Sequence, residues 1–256
     1  MSYERELAAV QRWVEETDRI AMSHFSVSVA TVTKDDGTPV TAADRAIETF
    51  LRAEIEREFP GDAILGEEFG ETAAGARRWI IDPIDGTKNF ARGVPVFATL
   101  IALQDDGGAV LALGMVSAPA LGARWWATDG DGAFHNGSTI RVSAAARLED
   151  ADVVTGGVDW AFRTGYGERF EALLRRARRQ RGFGDFWGPM LVAQGSVDVM
   201  IEFADLKLWD MAACNKIVVE AGGRATTIEG LHKVGPSPVV TTNGLLHDEV
   251  LRALQA

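Results

Sequence analysis

Cysteine is almost absent from this chain of 256 residues, in which Cys214 is the single thiol. One cysteine excludes both an internal disulfide and a cluster of thiolates around a metal. Long apolar runs are absent too, since no stretch approaches the roughly 18–20 residues that span a bilayer. The N-terminus, "MSYERELAAVQRW", resembles neither a secretory signal nor a transit peptide. We therefore expect a cytoplasmic protein with no membrane partner.

Positive charge is also in short supply, because 26 Lys and Arg residues face 37 Asp and Glu residues, for a formal net charge of −11. This balance argues against nucleic acid as a partner. The one basic run, "RRARRQR" at Arg175–Arg181, follows "ERFEALL" with helical spacing. The solvated face of a helix is therefore the favoured interpretation, and an anion site or a subunit contact is the alternative.

The apolar pattern predicts helices and sheets in alternating layers. Residues 3–22 have the spacing of an amphipathic helix, and a second helix starts at a capping-box-like pair, Thr41 and Asp44. Residues 96–142 contain apolar runs separated by turn residues, which is typical of an antiparallel meander. The remaining chain alternates short apolar strands with helices, and layers of both are the expected architecture.

Two halves are expected within one structural unit that spans residues 1–256. The N-terminal α+β half, residues 1–145, contains most of the acidic motifs. The C-terminal α/β half, residues 146–256, adds one further acid and the segments expected to select the substrate. No repeat and no low-complexity linker divides them.

Two carboxylates lie three positions apart in the segment "WIIDPIDGTKNF". Pro83 cannot donate to a sheet ladder, so the strand should end near it, and Asp82 and Asp85 should lie where the strand passes into a loop. Carboxylates this close repel each other unless a proton or a cation lies between them. A helix cap plus a turn aspartate is the alternative explanation for this pair taken alone.

Further acids occur in two distant segments. Glu67, in "LGEEFG", follows a short strand, and Asp210, in "LWDMAACNKIVVEAGG", lies in the first turn of an apolar helix. Singly, Glu67 would be a surface acid and Asp210 a partner of the helix dipole. Together with the aspartate pair they offer oxygen donors from three segments, with no motif built on the four histidines. Such donors suit Mg²⁺, Mn²⁺ or Ca²⁺ better than zinc.

Hydrogen-bond donors follow the aspartate pair directly. "GTKNF" offers backbone N–H groups at a predicted helix start, the Thr87 hydroxyl and the Lys88 ammonium. A helix start of this kind is an anion site, and phosphate is a common guest. Carboxylates would repel a phosphate unless a metal separated them. The pattern therefore predicts a metal on the acids and a phosphate on the turn.

The same motifs resemble the inositol monophosphatase superfamily of metal-dependent sugar and polyol phosphatases. "GEEFG", "WIIDPIDGTKNF" and "LWDMAACNKIVVEAGG" carry the resemblance, with "TPVTAADRAIE" upstream and "TNGLLHDEVL" at the C-terminal end. It covers nearly the whole chain. It implies an α/β (α+β) fold, a layered αβαβα sandwich of the inositol monophosphatase/fructose-1,6-bisphosphatase type. It also implies a homodimer and two or three Mg²⁺ ions per site, with Mn²⁺ as a possible substitute.

The resemblance further implies individual roles. The metal ligands would be Glu67, Asp82, the backbone carbonyl of Ile84, Asp85 and Asp210. Glu67 and Thr87 would position and deprotonate the attacking water, with Asp44 supporting Thr87. The amides of Gly86 and Thr87 would hold the phosphate, next to Ile84, Asp85 and Asp210. A single general base contributes only ~10²–10⁴ in rate, so hydrolysis of a phosphate monoester favours water activated by metal.

The substrate is indicated by "RGFGDFWGPMLVAQG", in which glycine and aromatic residues flank Asp185. A carboxylate that looks buried there, together with Glu202, suits a cationic or imidazole-bearing substrate. "GDF" resembles the histidinol-phosphatase branch, which implies hydrolysis of histidinol phosphate in histidine biosynthesis. The alternatives are an inositol-1-phosphatase or broad sugar and polyol phosphatase, and a non-catalytic member of the fold. Asp185 as a loop or cap residue, and Asp205 in place of Glu202, also remain open.

Overall fold

The structure is a computed structural model that describes residues 2–26, 29–33, 39–72, 75–105, 107, 110–232 and 238–255. Within these residues the α-helices are α1 Glu4–His24, α2 Ala42–Glu58, α3 Thr87–Ala91, α4 Val158–Arg163, α5 Gly167–Arg176, α6 Trp187–Ala193, α7 Leu208–Glu220 and α8 His247–Gln255. The strands are β1 Val32–Thr33, β2 Pro39–Val40, β3 Ala63–Gly66, β4 Gly70–Glu71, β5 Arg78–Asp85, β6 Ala98–Asp105, β7 Val110–Ala118, β8 Ala123–Thr128, β9 Gly132–His135, β10 Ser138–Ile140, β11 Asp152–Thr155, β12 Arg179–Arg181, β13 Val199–Glu202, β14 Arg224–Thr227 and β15 Val239–Thr242.

The larger of the two main sheets has the strand order β10-β9-β8-β7-β6-β5-β3-β4. Consecutive strands from β5 to β10 pair antiparallel, which confirms the predicted meander. Only β3 and β5 run parallel in this sheet. The smaller sheet has the order β12-β11-β13-β15-β14 and mixes parallel with antiparallel pairs.

The helices and sheets stack in five layers. Helices α1 and α2 cover one face of the larger sheet, and α7 with α6 covers the other. Helix α6 also packs on the smaller sheet, whose far face is covered by α5 and α8. Each face that packs is apolar, so every layer buries its surface against the next. The αβαβα sandwich expected from the sequence is confirmed.

Helix α2 begins as its sequence predicts. The Thr41 hydroxyl accepts a hydrogen bond from the Ala43 amide, and the Asp44 carboxylate accepts one from the Thr41 amide at 2.8 Å. This capping box satisfies amides that the first helical turn leaves without partners. Ile47 and Leu51 are then buried on one face of the helix, against the larger sheet.

Strand β5 ends near Pro83, as predicted, but it continues through this proline to Asp85, so Asp82 does not lie where the strand passes into a loop. Pairing with β3 stops at Ile81, but pairing with β6 resumes at Asp85 after an irregularity in the register. Proline removes a donor only, and its carbonyl still accepts a hydrogen bond from the Thr99 hydroxyl at 2.8 Å. A bulge of this kind bends a strand and changes the direction of its side chains. Both aspartates therefore belong to the strand itself.

The basic run does not form one helix face. Helix α5 ends at Arg176, and Arg179–Arg181 forms the exposed edge strand β12, parallel to β11. Arg178 forms an ion pair with Asp152 on the neighbouring strand at 2.8 Å. Charged residues on an edge strand oppose pairing with another chain. Helix α4 was also not predicted, because its six residues are too few to show a helical period.

In the part of the chain that the structure describes, no helix has both the length and the hydropathy that are needed to cross a membrane.

Candidate active site

Three aspartates meet at the point where β5 faces the start of α7. One carboxylate oxygen from each of Asp82, Asp85 and Asp210 lies within 4.8 Å of the other two. Helix α7 can approach the sheet this closely because Gly114 on β7 has no side chain. A Cβ at that position would lie 2.5 Å from the carbonyl oxygen of Ala213. The packing of α7 on the sheet therefore brings Asp210 to the aspartate pair.

Glu67 reaches the same place from the end of β3. Its carboxylate is close enough to that of Asp82 to raise the Asp82 pKa, and it lines the same cavity, although it lies outside the group of three. Because β3 and β5 are parallel neighbours, Glu67 leaves β3 beside the strand that carries Asp82. Four of the predicted metal ligands therefore line one cavity, and Ile84 lines it with them.

The electrostatics of the cluster favour a cation. Burial raises the pKa of Asp82 and of Asp85 well above their usual value, and the neighbouring carboxylates raise both further. Burial also raises the pKa of Asp210 to about 7, although the Lys207 amide opposes this by donating to its carboxylate. The Oδ1 atom of Asp82 is buried without a hydrogen-bond partner in the structure. An all-oxygen set with an orphaned buried oxygen fits a divalent cation such as Mg²⁺ or Mn²⁺.

Without metal, we expect the protein to lose stability as the pH rises from about 4 to about 7. An acid whose pKa is raised on folding binds more protons in the folded state, so the free energy of unfolding falls as pH rises through that window. For Asp210 the window runs from the usual 3.8 to about 7. Thermal unfolding in chelator should give a lower Tm at pH 8 than at pH 5, with a smaller difference in Asp210→Asn. A Tm that rises over this range would contradict the expectation.

The turn after the aspartates is built as a tight start to α3. Gly86 has a φ of +82°, and a Cβ there would lie 2.9 Å from the carbonyl oxygen of Val96, so only glycine fits. The Thr87 hydroxyl donates to the carbonyl of Ile84 at 2.9 Å. Gly86, Thr87 and Lys88 all line the cavity beside the acids. The predicted donors are therefore next to the predicted metal ligands.

Asp44 does not contact Thr87 in the expected way. Its carboxylate accepts hydrogen bonds from the amide and the hydroxyl of Thr41, whereas the Thr87 hydroxyl donates to Ile84. The Asp44 side chain caps α2 instead, because in this position it satisfies a buried backbone amide that is close to it in the sequence. Oδ1 of Asp44 is buried and has no hydrogen-bond partner among the residues that the structure describes, and burial raises the pKa of the group. The predicted support of Thr87 by Asp44 is corrected accordingly.

Asp185 lies on the wall of the cavity, which has a volume of about 370 Å³. The residue as a whole is exposed, but burial of its carboxyl group raises the pKa of Asp185 above its usual value. Its Oδ2 atom accepts a hydrogen bond from Nδ2 of Asn89 at 3.0 Å. The next amide, that of Phe186, donates to Oδ2 of Asp85 at 2.6 Å. The loop that carries Asp185 is therefore tied to the acidic cluster.

Glu202, by contrast, is buried at the end of β13. Its Oε1 atom accepts from the amides of Phe203 at 3.0 Å and Ala204 at 3.2 Å. It lines both the cavity and an adjoining cleft of about 420 Å³, and Asp185 lines the same two spaces. Asp205 is exposed, forms an ion pair with Lys207 at 2.7 Å and lines neither. Glu202, not Asp205, is the acid that joins Asp185.

Some of the residues around the site were not assigned roles from the sequence. Nδ2 of Asn89 donates hydrogen bonds to the Asp185 carboxylate and to the carbonyl of Val96. In the sequence, its position in "GTKNF" was the one indication that Asn89 lies near the site. Trp160 on α4 lines the adjoining cleft. Cys214 also lines the cavity, but burial first and the neighbouring carboxylates second raise its pKa well above the usual value. Such a thiol is a poor nucleophile, and Cys214 packs within the apolar core between α7 and the larger sheet.

Comparisons with known proteins agree with this geometry. A model of the inositol monophosphatase family matches residues 3–256. The chain is similar to the histidinol-phosphatase of Mycobacterium tuberculosis, with 49% identity over 88% of this chain and 87% of the relative. It is similar to the histidinol-phosphatase of Streptomyces coelicolor, with 45% identity over 91% of each chain. The solved structure of the Thermotoga maritima IMPase matches with a TM-score of 0.88 and 34% identity, over 98% of this chain and 97% of the other. This chain therefore belongs to the inositol monophosphatase family.

Proposed function

We propose that this protein is a Mg²⁺-dependent phosphatase that hydrolyses histidinol phosphate to histidinol and inorganic phosphate. The observation that carries the proposal is a single cavity lined by two sets of acids. The clustered carboxylates of Asp82, Asp85 and Asp210 form one set, and Asp185 with Glu202 forms the other. Relatives at 41–49% identity are named histidinol-phosphatase, which supports the same substrate.

The clustered carboxylates would hold the cations and, through them, the phosphate. Asp82, Asp85, Asp210, Glu67 and the carbonyl of Ile84 form the proposed ligand set. When bound, the divalent cations supply the positive charge that acidifies water and offsets the charge on the phosphate oxygens. Without that charge the carboxylates would repel the substrate.

The protein's own groups would then position the phosphate and the attacking water. The amides of Gly86 and Thr87 and the Lys88 ammonium offer donors to the phosphate oxygens at the start of α3. Glu67 lines the same cavity, where its carboxylate would take the proton of the attacking water. The Thr87 hydroxyl, held by the Ile84 carbonyl at 2.9 Å, would orient that water. No covalent intermediate is required.

The leaving alcohol of histidinol phosphate carries an ammonium group and an imidazole. Asp185 and Glu202 place two carboxylates beside the cleft where this alcohol would lie, and a charged acceptor strengthens a hydrogen bond from an ammonium. The rings of Phe183 and Trp187, with centroids 4.7 Å apart, line the same cleft. An aromatic wall favours both a cation and an imidazole ring. Inositol carries no charge that these acids would attract.

The decisive experiment compares initial rates on histidinol phosphate and inositol-1-phosphate, with Mg²⁺ and with excess EDTA. We expect phosphate release only with the metal, and a higher kcat/KM for histidinol phosphate. Equal or higher kcat/KM for inositol-1-phosphate would favour the second candidate, which rests on relatives named inositol-1-monophosphatase at 36–38% identity. Metal binding without any phosphate release would indicate a non-catalytic member of the fold.

A homodimer and a cytoplasmic location are also proposed, on the resemblance to the family. Trp125 packs in the meander, where it stacks on His135 with ring centroids 4.6 Å apart. Trp126 is half-buried beside a surface hollow, which makes it a candidate for a subunit contact. Sedimentation of the purified protein would give its oligomeric state.

A further inference from the structure

Glu67 begins a very short turn. Residues 67–69 connect β3 to β4, and β4 pairs with β3 at only two positions, Leu65 with Glu71 and Gly66 with Gly70. Both residues of β4 are exposed, and β4 is the edge of its sheet. A two-residue edge strand restrains its turn weakly, because short exposed ladders open at low free-energy cost. The Glu67 amide donates to the carbonyl of Ile81 on β5 at 3.3 Å, but this bond does not restrain the three residues that follow.

Glu48 on α2 restrains the turn. Its side chain is fully buried, and it accepts a hydrogen bond from the Glu68 amide at 2.7 Å and another from the Phe69 amide at 3.1 Å. One helical turn later, Arg52 donates through Nε to the Glu48 carboxylate at 2.8 Å and through its guanidinium to the carbonyl of Gly70. The three residues that follow Glu67 are therefore all bonded to this pair on α2.

Gly66 lets the Glu48 carboxylate pack closely against the backbone of β3. A Cβ on Gly66 would lie 2.0 Å from Oε1 of Glu48, so the carboxylate occupies the space above this glycine. Glu48 does not line the cavity, so it has no direct part in the proposed chemistry. A buried carboxylate is costly unless it is paired and fully hydrogen-bonded, and here Arg52 and the two amides meet that condition. These contacts fix the position of the turn between β3 and β4.

We propose that Glu48 is a positioning residue that holds the Glu67 carboxylate against Asp82, with Arg52 as its counter-ion. The inference rests on the proposed function, because it matters to catalysis only if Glu67 serves the metal site. Partners that orient a metal ligand commonly contribute ~10–100-fold to metal affinity or activity. Glu48 acts on the ligand through the backbone of the turn.

The test compares Glu48→Gln with Glu56→Gln, which removes the same charge from an exposed position of the same helix. The glutamine side chain has one acceptor oxygen, whereas the carboxylate has two. The glutamine N–H₂ group would therefore face a backbone N–H group, and one of the two hydrogen bonds to the turn would be lost. Isothermal titration of the metal-free protein with Mg²⁺ should show affinity about tenfold weaker in Glu48→Gln. Glu56→Gln should bind Mg²⁺ like the original chain. Equal affinity in all three proteins would overturn the proposal.

Two further measurements separate positioning from charge and from folding. Gly66→Ala keeps every charge but displaces the Glu48 carboxylate, and it should weaken Mg²⁺ binding in the same direction. In the unsubstituted protein, amide hydrogen exchange at Glu68 and Phe69 should be as slow as in β3, whereas exchange as fast as in exposed loops would refute the restraint. If the protein binds Mg²⁺ but releases no phosphate, the proposed function fails while these two measurements still decide the role of Glu48.

Discussion

Asp82→Asn is expected to lower phosphate release by at least about a thousandfold. Asp82 is the most buried acid of the cluster, and it lies next to Glu67, Asp85 and Asp210. Loss of about 4 kcal/mol of charge stabilisation in the transition state, a reasonable share for a bound cation, corresponds to about that factor. Asparagine keeps the shape but removes the negative charge that would attract the metal.

The measurement is the initial rate on histidinol phosphate across a titration of Mg²⁺. Asp205→Asn is the matched control, because it removes an exposed acid near α7 that lines neither the cavity nor the cleft. In chelator at pH 8, Asp82→Asn should unfold at a higher temperature than the original chain, since it relieves repulsion between buried carboxylates. If Asp82→Asn kept full activity, Asp82 would not be a metal ligand. The Tm of the variant shows whether a loss of activity is caused by a loss of folding.

Asp185→Asn is expected to raise the KM for histidinol phosphate roughly 30- to 150-fold and to leave the KM for inositol-1-phosphate nearly unchanged. A hydrogen bond between an ammonium and a carboxylate contributes about 2–3 kcal/mol when water is excluded. Asp185 lies on the wall shared by the cavity and the cleft, and Asn89 orients its carboxylate. Asparagine retains an acceptor but not the charge.

The selectivity for one substrate over the other is the quantity to measure. Both substrates should be compared at saturating Mg²⁺ in the original chain, in Asp185→Asn and in Asp205→Asn. A structural defect would affect both substrates equally, whereas loss of cation recognition affects histidinol phosphate alone. An unchanged KM for histidinol phosphate would exclude Asp185 from substrate binding.

Much of the fold followed from local patterns. The capping residues Thr41 and Asp44 gave the start of α2, and the apolar runs of residues 96–142 gave the meander, because caps and periodicity act over a few residues. The errors occurred where longer contacts decide. Strand β5 passes Pro83 because β6 continues to pair with it, and the basic run leaves its helix at Arg176 because β11 accepts β12 as a neighbour. The sequence of β5 does not show that β6 pairs with it, and the sequence of the basic run does not show that β11 does.

The candidate site shows the same division. Glu67, Asp82, Asp85 and Asp210 were identified from their types and from the turns beside them. Asp44 was linked to Thr87 on the strength of a resemblance, and in the structure it instead caps α2. Glu48 received no role, since its importance depends on two backbone amides that reach it from the β3–β4 turn. Asp185 was noted for its aromatic neighbours, but its place on the wall of both the cavity and the cleft depends on residues from other segments.

The sequence by itself determined the chemistry available to this protein, because side-chain type and local turn geometry are properties of short segments. Hard oxygen donors and a glycine turn rich in amides favour a hard divalent cation and an anion as ligands, and a single cysteine excludes a cluster of thiolates. Only the tertiary structure decided which acids meet. The packing of α7 over Gly114, and of α2 over Gly66, sets distances between segments far apart in the chain. Those distances decide whether an acid is placed to bind a metal or to cap a helix, and no local sequence pattern encodes them.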